Sequence, residues 1–83
     1  MNQSLAYVRE VLSLYTDRSD TGKSIYSKMM EGHFKSEEAF VRELSEGEIN
    51  FLNQVLEEEI QHAKNEQDSK RAHHLNDVYE LLF

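Results

Sequence analysis

The sequence predicts an all-α fold, a small bundle of about five helices with an antiparallel helical hairpin at its C-terminal end. Three observations predict it: apolar residues recur at helical spacing along most of the chain, proline is absent, and glycine occurs only 3 times. This composition disfavours a turn-rich β fold. With 83 residues, of which 39% are hydrophobic, the chain suffices for one small core, and we expect a single helical domain over residues 1–83.

The first helix is predicted over residues 4–15, where apolar side chains follow the spacing of one helix face. Either Ser4 or Asn2 can cap its start, because a short side-chain oxygen accepts a hydrogen bond from a free first-turn N–H group. Residues 16–20 are polar and predict a loop. The apolar face consists of Leu5, Val8, Val11, Leu12 and Tyr15.

Two shorter helices are predicted next, over residues 21–31 and 37–44. Gly32 follows the first of them, where a left-handed C-terminal cap favours a residue without a Cβ. Gly22 weakens the first turn of that helix by up to about 1 kcal/mol relative to alanine. Ser36 is the expected N-cap of the other helix, and the two glutamates after it favour the positive end of the helix dipole.

The C-terminal hairpin is predicted from two amphipathic helices, over about residues 46–65 and 69–82, joined by a short polar turn. Ser45 and Glu48 match the capping box, in which each side chain satisfies the free N–H group of the other. Asp68 or the serine after it caps the last helix. The facing apolar stripes are Ile49, Leu52, Val55, Leu56, Ile60 and Ala63 in one helix, and Ala72, Leu75, Val78, Tyr79 and Leu82 in the other.

The charge of the chain narrows the classes of partner. The formal net charge is −7, with 16 Asp and Glu against 9 Lys and Arg, which disfavours nucleic acid and anionic membrane surfaces as partners. A local basic patch of Lys64, Lys70 and Arg71 leaves weak, salt-sensitive nucleic-acid binding as the least favoured hypothesis. Because no apolar run approaches the roughly 18 residues of a membrane span and no signal peptide precedes the first helix, we expect a cytoplasmic location.

The sequence contains no pattern that predicts catalysis or a cofactor. Cysteine is absent, which excludes disulfides and thiolate sites, and the serines and histidines form no ordered triad. No carboxylate lies in an apolar context that suggests a raised pKa. The histidines are His33, His62, His73 and His74. His62 could approach either of the last two across the hairpin, with Glu58 or Glu59, but no helical metal-binding pair is present. We expect that the protein is not an enzyme and has no catalytic residue and no cofactor. Whether the histidines bind a metal stays open.

A possible interaction surface is predicted from exposed aromatic, methionine and C-terminal apolar residues, which serve as anchors in protein interfaces. For the two methionines, packing under the hairpin is the favoured interpretation and the binding surface is the alternative. A small core gains stability when apolar stripes meet across a two-fold axis, so we expect a homodimer. Leu81 and its two neighbours either close the core or join that contact. The proposed surface comprises Tyr26, Met29, Met30, Phe34, Tyr79, Leu82 and Phe83.

Several segments resemble a known protein family. They are FLNQVLE at residues 51–57, AKNEQDSKRA at 63–72 and LNDVYELL at 75–82, together with LAYVRE at 5–10 and EEAFV at 37–41. They are similar to a small sporulation-specific protein family of Bacillus-type bacteria, made in the forespore under the late forespore sigma factor and labelled small acid-soluble spore proteins. The resemblance implies a place in the forespore or spore core and brings no catalytic residues. DNA binding, known for the major acid-soluble spore proteins, does not suit this charge.

Three functional hypotheses follow. The first is a non-enzymatic sporulation protein that acts through protein–protein interaction, by contacts of helix faces or grooves. The second is a passive, abundant spore-core component without a specific partner, and the third is the weak nucleic-acid binder. An interaction protein predicts an exposed apolar patch, whereas a passive component predicts a uniformly charged exterior.

Overall fold

The computed structural model describes residues 2–83, and these form five α-helices with no β-strand among them. The predicted all-α fold with a C-terminal hairpin is confirmed. The fourth helix has the predicted bounds, and the other four differ from them by one to three residues at one or both ends. The helices are α1 (Gln3–Ser13), α2 (Asp20–Gly32), α3 (Glu37–Arg42), α4 (Glu46–Asn65) and α5 (Ser69–Tyr79).

Every helix begins after a side chain that caps its first turn. Ser45 accepts a hydrogen bond from the Glu48 N–H group (3.2 Å), and the Glu48 carboxylate accepts one from the Ser45 N–H group (2.8 Å), which confirms the predicted capping box. Of the two candidate caps of α1, Asn2 is the one used, which leaves Ser4 free for a different role. The N-cap residues are Asn2, Ser19, Ser36, Ser45 and Asp68.

Three helices end two or three residues earlier than their apolar periodicity predicts. Helix α5, for example, ends at Tyr79 rather than at residue 82. Its last carbonyl groups instead accept bonds from residues three positions later, as in the Leu81 N–H to Val78 oxygen bond of 3.0 Å. Because this tighter turn still directs Leu82 into the core, where it is 5% exposed, the apolar pattern outlasts the helix.

The prediction for Gly32 is wrong, because Gly32 is the last residue of α2 and His33 takes the left-handed conformation (φ 49°, ψ 50°). Histidine is among the residues that tolerate this conformation best after glycine. A Cβ on Gly32 would instead collide with the aromatic ring of Phe34, which folds back over it. The glycine therefore allows the ring of Phe34 to lie close to the backbone at this position.

The hairpin turn between α4 and α5 is a Schellman motif. The Asp68 N–H group donates to the Ala63 oxygen (2.8 Å), the Gln67 N–H group donates to the Lys64 oxygen (3.1 Å), and Gln67 has a φ of 60°. These bonds satisfy carbonyl groups at the end of α4 and reverse the chain within three residues. Asp68 then caps α5, so one residue ends one helix and starts the next.

The core lies between the hairpin and the three preceding helices. Helices α4 and α5 make the most extensive contact, α1 packs on α5, α2 packs on both α1 and α4, and α3 packs on α5. Apolar burial of this kind stabilises a fold by roughly 25 cal/mol for each Å² removed from water. The fully buried large side chains are Leu5, Val8, Val11, Leu12, Ile25, Met29, Phe40, Leu52, Leu56, Leu75 and Val78.

Glu48 forms a buried polar link between α4 and α2 that the sequence analysis did not predict. The residue is 6% exposed, and its carboxylate accepts hydrogen bonds from Lys28 Nζ (2.6 Å), Ser24 Oγ (2.7 Å) and the Ser45 N–H group (2.8 Å). Burial raises the pKa of this carboxyl, but the bonds from Lys28, Ser45 and Ser24 outweigh burial, so the pKa of Glu48 falls from 4.5 to about 2. The carboxylate thus stays charged where it is held.

This lowered pKa predicts a loss of stability in acid. A carboxyl with a lower pKa in the folded than in the unfolded state stabilises the fold above pH 4.5, and this contribution fades as the pH falls towards 2. The difference corresponds to a contribution of at most about 3 kcal/mol. We expect urea unfolding at a series of pH values to show this loss in the wild type and a weaker pH dependence in Glu48→Gln. The exposed Glu58→Gln is the control; a profile for Glu48→Gln that parallels the wild type would contradict the assignment.

Gly22 is required by close packing, although the sequence alone marks it only as a weak point of α2. A Cβ at Gly22 would lie 2.9 Å from the Cβ of Tyr15 and 3.3 Å from the Tyr15 carbonyl oxygen. These atoms are near or in the backbone and cannot rotate away. At Gly47, in the first turn of α4, a Cβ would meet nothing within 4 Å.

The two glycines therefore predict opposite effects of the same substitution. We expect Gly22→Ala to lower the free energy of unfolding by about 1 to 3 kcal/mol, because overpacking outweighs the gain in helix propensity. Gly47→Ala should raise it by up to about 1 kcal/mol. Thermal and urea unfolding of both variants measures the pair. Equal shifts in the same direction would mean that Tyr15 does not pack on Gly22 as described.

Candidate interaction surface

A groove runs between α4 and α5 at the end of the hairpin nearest its turn. It encloses about 580 Å³. The apolar side chains of Ile60 and Ala72, which are 8% and 7% exposed, contribute to its lining. Its other lining residues are polar, so polar side chains outnumber apolar ones in the groove. These are Lys64, Gln67, Ser69, His73 and Asn76.

The charge of the groove differs from that of the chain. None of its lining residues is a carboxylate, whereas the whole chain has a formal net charge of −7. Lys64 forms no ion pair within residues 2–83, and His73 Nε2 lies 4.0 Å from the Asp77 carboxylate. The groove therefore favours an acidic group beside an apolar one in whatever occupies it.

One face of α5 joins the groove to the C-terminal apolar residues. Ser69, His73, Asn76 and Glu80 are spaced by three or four residues and therefore lie along one side of the helix. Asn76 Nδ2 donates to Glu80 Oε2 at 3.5 Å, which follows this side. We call these residues, with Ala72, the α5 stripe. It has the cationic groove at one end and Glu80 at the other.

Beyond Glu80 lie two of the exposed large apolar side chains of the described residues. Phe83 is 81% exposed and Leu81 is 36% exposed. Leu82 between them is buried, because the chain turns there and directs alternate side chains outwards. Along the chain, the α5 stripe is thus followed by two exposed apolar residues, Leu81 and Phe83, which we call the C-terminal apolar end.

The structure places the residues of the predicted interaction surface in three environments. Met29 and Leu82 belong to the core, with exposures of 0% and 5%, so they must be removed from the proposed surface. Their helical spacing is that of an inward face, which could have revealed this. The half-buried members, which pack against the core, are Tyr26, Phe34 and Tyr79. The exposed members are Met30 and Phe83.

Sequence reasoning missed Leu14, which is 56% exposed. It lies just after α1, within the predicted helix but off its apolar face. The sequence could have indicated this, because Leu14 is one residue before Tyr15 and therefore does not lie on the apolar face of the predicted helix. A large apolar side chain in that register has no partner in the core.

A serine, a histidine and an aspartate meet where α1 crosses α5, but not in a catalytic arrangement. Ser4 Oγ donates to Asp77 Oδ2 (2.9 Å) and lies 2.9 Å from His74 Nδ1. Because the one proton of Ser4 goes to Asp77, Ser4 Oγ is left as an acceptor towards His74 Nδ1. A nucleophilic serine needs an accessible oxygen next to an accepting histidine, whereas Ser4 is 4% exposed. This cluster joins the two ends of the fold, and Tyr7 stacks on the His74 ring at 5.1 Å.

The comparison with known proteins covers nearly the whole chain. A curated relative from Bacillus subtilis (strain 168), described as a "Sigma-G-dependent sporulation-specific SASP protein", is 48% identical over 82 residues, which are 99% of each chain. The chain belongs to the forespore small acid-soluble spore protein family. The resemblance found in the sequence is thereby confirmed.

A second comparison, with models of protein families, gives a different description. The model is described as "CsgA: Minor curli fiber component A", it matches residues 1–83, and the chain belongs to that family as well. The two descriptions name different roles, a sporulation protein and a fibre component. No solved structure matches the chain.

The histidines of this spore protein family member do not converge on a metal site. Among residues 2–83 no three His, Cys, Asp or Glu side chains are grouped so as to hold an ion. His73 borders the groove, whereas the adjacent His74 faces α1, and His62 is exposed. A set of His62, one of this pair and Glu58 or Glu59, which the sequence leaves open, is therefore not grouped within residues 2–83. His33 is the C-cap residue that follows α2.

One residue of the predicted basic patch forms ion pairs within the protein. Arg71 pairs with Glu10 (3.0 Å) and lies 3.7 Å from Glu59, and its guanidinium group stands 6.0 Å from the centre of the Tyr7 ring. Only Lys64 and Lys70 of the patch are left without an ion pair in the described chain. No helix of residues 2–83 has the length and apolar composition needed to cross a membrane.

Proposed function

We propose that this protein acts in the developing spore as a non-enzymatic protein that works by contact with other protein. The observation that carries the spore role is the 48% identity, over 99% of both chains, to a sporulation-specific relative. We place the protein in the forespore, and later in the spore core, on the same ground. The description of that relative names no reaction.

The α5 stripe, the groove and the C-terminal apolar end support contact as the mode of action. They combine a groove of polar side chains around Ile60 and Ala72 with an exposed phenylalanine, and exposed aromatic side chains are common interface anchors. Phe83, at 81% exposed, is the largest apolar side chain that the fold leaves in water. The burial of Ser4 supports a non-enzymatic role, because a buried hydroxyl with two partners is not available as a nucleophile.

A passive spore-core component is the second candidate function. The acidic exterior, with a net charge of −7, favours it, because like charges keep an abundant protein soluble. It requires no specific contact at the groove. Nucleic-acid binding has less support, since Arg71 already pairs with Glu10 and Glu59.

The spore role is tested by following the protein in its native host. A fluorescent fusion expressed from the native promoter should appear only in the forespore and should be absent from a strain that lacks the forespore sigma factor. Fluorescence microscopy through sporulation gives the readout. Equal signal in growing cells and in the sigma-factor mutant would contradict the spore role.

The contact role is tested in the same cells with a photo-crosslinking amino acid. Placed at His73, which borders the groove, it should give a discrete crosslinked species. Placed at Glu57, on the exposed acidic side of α4, it should give none, and this matched variant is the control. Absence of a discrete species from both positions would overturn the contact role and support the passive component.

A further inference from the structure

We propose that the groove binds the C-terminal apolar end of a second copy of this chain, so that two copies pair through antiparallel α5 helices. This inference rests on the proposed function, because it names the partner of the same surface. It assigns the groove an occupant, Leu81 and Phe83 with the neighbouring Glu80, and it assigns the assembly a geometry.

The two ends of the α5 stripe are complementary in chemistry. The groove offers the apolar side chains of Ile60 and Ala72 beside the cation Lys64 and the polar ring of His73, with no carboxylate among its lining residues. The other end offers Glu80 beside two apolar side chains that the monomer leaves exposed. An acidic group next to an apolar group is the occupant that the groove favours, and the chain itself carries one.

The spacing along α5 allows both contacts to form at once. When two α5 helices run antiparallel on a two-fold axis near Asn76, His73 of each copy lies opposite Glu80 of the other. Ala72 then lies opposite Leu81 in the same register. Each copy gives its C-terminal end and receives that of its partner, so the contact is the same in both directions. Such a pair is closed and leaves neither groove open for further copies.

The charges favour the antiparallel over the parallel arrangement. A parallel pairing of the same faces would set Glu80 against the other Glu80 and Lys64 against the other Lys64. Like charges at close range are destabilising, whereas the antiparallel pairing brings Glu80 of each copy to the end of the other copy's hairpin that carries Lys64. The exchange is screened by salt, so pairing should weaken as ionic strength rises.

The size of the surface sets the expected affinity. Helix α5 has 11 residues and is therefore about 16 Å long. A contact of this length, with the rim of α4 and the C-terminal apolar end, is at or below the roughly 800 Å² per partner of a standard interface. We therefore expect a reversible dimer with a dissociation constant of about micromolar.

Cysteine crosslinking tests the position of the axis, because the chain has no cysteine of its own. A single cysteine forms a disulfide with its own copy only when it lies close to the two-fold axis. Asn76→Cys should therefore oxidise to a disulfide dimer at micromolar protein, and the exposed Glu58→Cys should do so at least about 10-fold more slowly. Equal rates, or no dimer from either variant, would overturn the proposal. Circular dichroism checks that both variants fold.

Charge reversal tests the register. Sedimentation velocity of the purified full chain should show Glu80→Lys and Lys64→Glu each weakening dimerisation at least about 10-fold. The double variant Lys64→Glu with Glu80→Lys should recover most of that loss, because it restores the pairing with the signs exchanged. Leu14→Ser, which removes an exposed apolar side chain outside the α5 stripe, is the control and should leave dimerisation unchanged. A wild type that stays monomeric at about 100 micromolar would overturn the proposal.

These results are separable from a failure of the proposed function. The species crosslinked from His73 in sporulating cells should have twice the mass of the chain if the partner is a second copy. A discrete species of another mass, with a monomeric purified protein, would overturn the self-pairing and leave the contact role standing. A dimer of the purified protein that is also made in growing cells would overturn the spore role and leave the self-pairing standing.

Discussion

Helices α4 and α5 form the platform on which the other helices pack. They face each other antiparallel across the Schellman turn at residues 66–68, and Leu52, Leu56, Leu75 and Val78 are fully buried in the core that they border. Each remaining helix contacts one of the two: α1 and α3 contact α5, and α2 contacts α4. A chain of 83 residues has little core to spare. If the hairpin loosened, each of the other helices would therefore lose the surface of α4 or α5 against which it packs.

Polar links hold the outer helices in place on this platform. Glu48 ties α4 to α2 through Ser24 and Lys28, and Ser4 ties α1 to His74 and Asp77 of α5. No buried side-chain nitrogen or oxygen in the described chain lacks a hydrogen-bond partner, which avoids the cost of an unsatisfied polar group. Both links join residues from distant parts of the sequence. They fix which faces of α1 and α2 meet the hairpin.

The same geometry separates the two sides of α5. His74 is directed towards α1, and the adjacent His73 borders the groove, as expected for neighbours about 100° apart on a helix. One side of α5 therefore completes the core, while the other presents a surface of its own. The groove lies on this second side, with Lys64 as its formal cation in a chain of net charge −7.

The helices and the hairpin could be predicted from the sequence, because apolar periodicity and capping residues act locally. Ser36, Ser45 and Asp68 illustrate this, since each caps the helix predicted to follow it. Three contacts could not be predicted from the sequence, because they depend on how separate segments pack. They are those of Gly22 with Tyr15, of Gly32 with Phe34 and of Glu48 with Lys28. Met29 and Leu82 differ from these residues, because their helical spacing already indicates the buried face on which the structure places them.

The groove was also beyond the reach of sequence reasoning. Its lining residues come from two helices and share no motif; only their position on either side of the hairpin turn brings them together. The helical face from Ser69 to Glu80 was visible in principle as a three- and four-residue spacing of polar positions. That spacing is common on solvated helices, and only its position beside the groove distinguishes it here.

Native-state amide hydrogen exchange tests most directly the dependence of the fold on its hairpin. The account predicts that amides in the centres of α4 and α5, such as those of Leu56 and Leu75, exchange only by global unfolding. Amides of α2 and α3 should exchange faster, through local opening that leaves the hairpin intact. Slower exchange in α2 or α3 than in α4 and α5 would contradict the account, because the hairpin would then not be the platform of the fold.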